Sequence, residues 1–285
     1  MDQKFLDLYD DYANGSLDRR EFLKKLAVLA GSTAAAIALL PLIENNYAQA
    51  QVVPKDDPRL HVENIKYPGE TGEVRAHLAR PKGDLKLPGV IVIHENRGLN
   101  PHTEDVARRV ALEGFLAIAP DALSPLGGTP EDVDEARSLM RKLDSQATIK
   151  NYVAAVKYLK THPQSTGKVG CMGFCWGGGM TNQVAVNSPD LTAAVPFYGS
   201  QPAPEDVPKI KASLLMHYAG LDERINTGIE AFEAALKKAS VEYKIYMYEG
   251  AGHAFFNDTG SRYHQEAAKL AWERTIAFLK EKLKS

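Results

Sequence analysis

From residue 63 onward the chain alternates short apolar runs with longer stretches whose apolar positions recur at helical spacing. Val74 to Arg80 alternates apolar and polar side chains, the pattern of a half-exposed strand. GVIVIHE, Gly89 to Glu95, and FLAIAPDA, Phe115 to Ala122, are short, mainly apolar runs and predict strands covered on both faces. Between them Asn100 offers an N-cap and Pro101 suits the first helical turn, so a helix is expected over 103–113, ending at Gly114. Helical periodicity returns over 131–143 and 149–159. KVGCMGFC then predicts a strand from Val169 to Phe174, with a helix from about Gly177 to Asn187. Runs at 193–199, 213–220 and 243–250 read as further strands, with helices over 228–238 and 263–283. Buried strands alternating with helices predict an α/β protein with a mainly parallel sheet and helices on both faces.

Residues 1–50 follow a different pattern. Arg19 and Arg20 precede Phe22, Leu23 and Lys24, and an uncharged, alanine-rich stretch runs from Leu26 to Ile43. Ala48, Gln49 and Ala50 form an A-x-A cleavage pattern. A basic start, an apolar middle and small residues at the exit predict an export signal, and the paired arginines resemble a twin-arginine signal. Asp18 stands where Ser or Thr usually precedes the pair. An uncleaved membrane anchor and a retained helical arm are the alternatives. The expected organisation is therefore a signal segment, 1–50, whose partner is the export machinery, and a single domain, 51–285, of periplasmic or extracellular location. If the signal is cleaved, no stable membrane association is expected.

Charge narrows the partners. The formal net charge is −2 with both signs interspersed, which points away from nucleic acid and anionic membrane surfaces. With only two cysteines, Cys171 and Cys175, the chain has no standard zinc spacing. Four residues of extended strand separate the pair by roughly 13 Å, too far for a disulfide. His94 opens HENRG, but Gly98 occupies the place where H-E-x-x-H needs a second histidine. No metal or organic cofactor is expected.

The chemistry gathers at the ends of the predicted strands. Gly173-Phe174-Cys175-Trp176-Gly177 has the G-x-nucleophile-x-G form of a strand-to-helix elbow. There the side chain faces a helix N-terminus, whose free N–H groups favour a thiolate. Asp222 follows the strand SLLMHYAG, and His253 follows YKIYMYEG. Nucleophile, acid and histidine thus appear in the order that α/β-hydrolases use, each at the carboxyl end of a strand.

The motifs HENRGLNPHTEDVARR, APDALSP, VGCMGFCWGG, PFYGS, YAGLDERI and EGAGHAFFND together resemble the dienelactone hydrolase family of α/β-hydrolases, which are carboxymethylenebutenolidase-like. The resemblance spans essentially all of 51–285 and implies an α/β-hydrolase fold with cysteine in place of serine. Cys175, Asp222 and His253 match the family's triad. The resemblance also implies that Glu95 accepts a hydrogen bond from the resting thiol and is displaced when substrate binds. Oxyanion donors are expected at the backbone N–H groups of Trp176 and Asn96. Arg97 would hold an anionic substrate or brace Glu95. The family's arginine four residues after the histidine is replaced by Asn257, and Arg137 or Arg141 would serve as a second substrate arginine. The implied activity is hydrolysis of a small ester or lactone through a thioester. A thiol-dependent acyltransferase or peptidase, and a non-catalytic exported binding module, are the alternatives.

Overall fold

The computed structural model describes residues 3–13, 17–46 and 51–284. Helices α1 (Gln3–Ala13), α2 (Arg19–Ala30) and α3 (Thr33–Ile43) precede the first strand. The sheet follows from strands β1 (Leu60–Gly69), β2 (Gly72–Pro81), β3 (Leu87–Ile93), β4 (Leu116–Pro120), β5 (Ser165–Phe174), β6 (Ala193–Phe197), β7 (Ser213–Ala219) and β8 (Tyr243–Tyr248). Their order is β1-β2-β4-β3-β5-β6-β7-β8. Only the pairs made by β2 are antiparallel; the others are parallel.

Strand pleating feeds two cores. Ile91 and Ile93 face one side of the sheet, and Val90 and Val92 the other. Helix α4 (Pro101–Leu112) covers the second side with Val106, Ala107, Val110 and Ala111. Helices α5 (Val133–Met140), α6 (Ser145–Thr161) and α7 (Trp176–Asn187) cover the first. After β7 come the short α8 (Glu223–Asn226) and α9 (Ile229–Lys238), and α10 (Gln265–Lys284) closes the second side. Asn100 caps α4 as expected, its side chain accepting from Thr103 N–H at 3.1 Å.

The sequence pattern had placed the first strand at Val74; β1 lies upstream of it. Its LHVENIKYPG lacks clean alternation because β1 is an edge strand, paired only with β2 and mostly half-buried or exposed. His61 and His77 consequently belong to the sheet rather than preceding it.

Helices α1–α3 fold against the domain. Asp18, the residue that departs from the twin-arginine pattern, is the N-cap of α2 in a capping box with Glu21. Gly31, at φ 80°, ends that helix, and Ser32 caps α3. Tyr9, Tyr12, Phe22, Leu26, Ala36 and Ile43 form a small core of their own. Tyr12 and Phe22 stack with centroids 4.4 Å apart. The Ser261 hydroxyl donates to the Ile43 carbonyl at 3.1 Å, and Asn46 N–H to the Thr259 carbonyl at 2.7 Å. No single described helix is long and apolar enough to cross a membrane; α2 and α3 meet at a bend of 109°. The Ala48–Ala50 cleavage pattern lies outside the described residues.

Candidate active site

Cys175 sits between β5 and α7 with φ 55° and ψ −116°, a conformation that strains any residue with a Cβ. The neighbouring glycines make that turn possible. A Cβ on Gly177 would meet the Ile93 carbonyl oxygen at 2.5 Å, and one on Gly173 would meet the Thr181 hydroxyl at 2.6 Å. Backbone is therefore pressed against backbone around the thiol. Cys175 itself is half-buried, and its N–H donates to the Phe197 carbonyl at 3.1 Å. Trp176 is the first residue of α7, so its N–H has no intrahelical acceptor and remains available to a ligand. Cys171, by contrast, is a core residue whose thiol burial pushes up to about 12.

Asp222 caps α8 just beyond β7, and His253 lies in the loop after β8. His253 Nδ1 and Asp222 Oδ2 are 2.5 Å apart, both side chains buried. Burial opposes charge on the imidazole. The charge interaction with the neighbouring Cys175 and the hydrogen bond to Asp222 outweigh it and raise the ring to about 10. Asp222 is likewise held below its ordinary value: burial works against the carboxylate, and the hydrogen bond from His253 prevails. His253 Nε2 is buried without a closed hydrogen bond. One cavity of about 430 Å³ is lined by Cys175, Trp176, His253, Asn96, Arg137 and Arg141, among others.

Residues 74–283 match the dienelactone hydrolase family model. The chain belongs to the dienelactone hydrolase family. A relative from Saccharolobus solfataricus, assigned as a carboxymethylenebutenolidase, is 35% identical over 254 residues, 76% of this chain and 97% of its own. A hydrolase fragment from Escherichia coli K12 is 50% identical over 112 residues, 38% of this chain and 96% of the fragment. A solved structure from Klebsiella pneumoniae, described as a dienelactone hydrolase, superposes with TM-score 0.71 at 29% identity, covering 78% of this chain and 99% of its own. Residues 1–31 match a second family model, YqhI-like.

In this dienelactone hydrolase family member the other expected residues are differently engaged. Glu95 is buried, but its partner is Asn257, whose amide donates to Oε2 at 2.9 Å; no hydrogen bond joins Glu95 to the thiol. Asn257 therefore braces Glu95 and does not line the cavity. The Arg97 guanidinium donates to the Tyr9 hydroxyl at 2.6 Å. Asn96 lines the cavity while its side chain donates to the Ala13 carbonyl at 2.5 Å. Arg137 is buried beneath Tyr12, and Arg141 is exposed at the cavity rim.

Several site residues escaped sequence reasoning. Tyr198, at φ 36°, lies edge-on to His253 with centroids 5.1 Å apart, and its place in PFYGS was a usable signal. Arg224 lines the cavity two residues after Asp222. Arg262 joins Glu95, Cys175 and His253 around a smaller adjoining cavity, and no motif marked it. His94 emerges as a structural clamp. Its Nε2 accepts from Ala122 N–H at 3.2 Å, which fixes the tautomer, so Nδ1–H donates to the Glu95 carbonyl at 2.6 Å. The same ring stacks on Trp176 at 5.4 Å and thereby holds both segments that carry the expected oxyanion donors.

Proposed function

We propose that the chain hydrolyses a small carboxylic ester or lactone, with Cys175 as nucleophile, His253 as acid and base, and Asp222 as the group that orients His253. The observation that carries this reading is the bonded His253–Asp222 pair, whose histidine shares one cavity with a cysteine on a strained elbow. The thiolate attacks the carbonyl carbon, and the developing oxyanion is placed to meet the N–H groups of Trp176 and Asn96. Collapse breaks the C–O bond to the leaving group, and the imidazolium gives that oxygen its proton. Thioester formation removes the thiolate, the leading influence that raises His253. The ring's proton affinity then falls, and the neutral imidazole activates water for the second half-reaction. Glu95, buried and held by Asn257, shares the smaller adjoining cavity with Cys175 and His253.

The test is hydrolysis of 4-nitrophenyl esters and enol lactones by wild type and Cys175→Ala. The expected loss of kcat is about a thousandfold or more, matched by alkylation of wild type with iodoacetamide. Undiminished turnover in Cys175→Ala overturns the assignment.

A further inference from the structure

We propose that α1–α3 are a specificity cap: docked, they occupy the anion-binding side of the catalytic pocket and restrict it to uncharged esters, and undocked, they open it to carboxylate-bearing ones. The proposal rests on the ester-hydrolase reading of the pocket.

The contacts are chemically of one kind. The C-terminal turn of α1 presents carbonyl oxygens that carry the negative end of the helix dipole. The Tyr12 carbonyl accepts from the buried Arg137 guanidinium, which also lies 4.0 Å from the Tyr12 ring centroid. The Ala13 carbonyl accepts from the Asn96 side chain, on the loop expected to supply an oxyanion donor. Asp10 pairs with the buried Arg262, whose guanidinium also lies 5.2 Å from the Tyr9 ring. Ala13 lines both the main cavity and the smaller one shared by Cys175, His253 and Arg262. The arm thus places a carboxylate, two main-chain carbonyls and two aromatic faces on the groups that a substrate carboxylate would seek. With it docked, Arg262 is neutralised by Asp10 and Arg137 is covered. With it displaced, Arg262 faces the site without Asp10, leaving Glu95 as the carboxylate beside it in the smaller cavity, and Arg137 keeps Asp134, at 3.4 Å, as its acidic partner among the described residues.

The full-length Tyr9→Ala/Asp10→Ala/Tyr12→Ala variant tests this, with hydrogen exchange over residues 3–43 reporting displacement and thermal unfolding reporting an intact domain. Two pairs of probes differ mainly in charge: iodoacetate against iodoacetamide at Cys175, and mono-4-nitrophenyl succinate against 4-nitrophenyl butyrate. Cys171 is fully buried, so alkylation reads Cys175. The anionic-to-neutral rate ratio is expected to rise about tenfold or more for both pairs, and to fall back when Arg137→Gln and Arg262→Gln are added. An unchanged ratio with the arm displaced overturns the proposal, and so does an arm that stays protected in the triple variant. Equal acceleration of charged and neutral probes makes the arm a plain steric lid and overturns the charge argument. If esters are not turned over while the alkylation ratio responds, the hydrolase reading fails and the cap stands.

Discussion

At the scale of single residues, His253 carries the most consequence. Its folded pKa lies above the ordinary 6.5, near 10, so the ring keeps its proton as pH rises until about that value. Leaving groups that must be protonated are therefore served below about 10 and abandoned above it. We expect kcat/KM for an unactivated alkyl ester or lactone to fall as pH rises through about 10. A 4-nitrophenyl ester, whose leaving group needs no proton, should hold its rate across the same range. Parallel profiles for the two substrates would remove His253 from the role of acid. Cys175, Asp222 and His253 were legible as candidates because each joins an informative residue type to a strand end. Arg262 was not, because an arginine in a loop carries no signal until folding sets it beside Asp10 and the cavity. Glu95 was legible as a site residue, but its bond to Asn257 was not, since 162 positions separate them.

The elbow is the element that converts backbone shape into chemistry. β5 pairs with β3 as far as Gly173 and with β6 as far as Phe174, the residue before Cys175, and α7 begins immediately after Cys175, so the reversal falls on one residue. Holding a non-glycine residue at φ 55° costs about 1–3 kcal/mol, and the surrounding sheet and helix sustain it. The expected signature is an inversion of the usual glycine penalty. Cys175→Gly should be more stable to urea than Cys175→Ala by about 1 kcal/mol, with both inactive. A less stable glycine variant would mean that the thiol position is relaxed. Elements covered on both sides, such as β3 and β5, were readable from their apolar runs, and the elbow from its glycines. β1 was hidden because an exposed edge strand has little hydrophobic pattern to show.

For the whole molecule the unsettled relation is between the arm and the domain. Its sequence proposes export, through paired arginines, an apolar stretch and a cleavage pattern ending at Ala50. Its fold is a helical cap, in which Arg19 donates to Asp134 at 2.6 Å while Arg20 stays exposed. The two readings compete for the same side chain, since a receptor that reads both arginines must draw Arg19 away from Asp134. If the segment directs export, undocking and opening of the arginine site are one event, and cleavage after Ala50 would make it permanent. On the export reading, we expect protein recovered from the periplasm to begin at Gln51 by intact mass. It should show the high anionic-to-neutral alkylation ratio of the triple variant, whereas full-length cytoplasmic protein shows the low one. A full-length periplasmic species with the low ratio would leave the cap as a fixed part of the pocket and remove cleavage from its control. Recovery only from the cytoplasm would remove export altogether. Either result assigns residues 1–50 by chemistry at Cys175, which senses whether the cap is present.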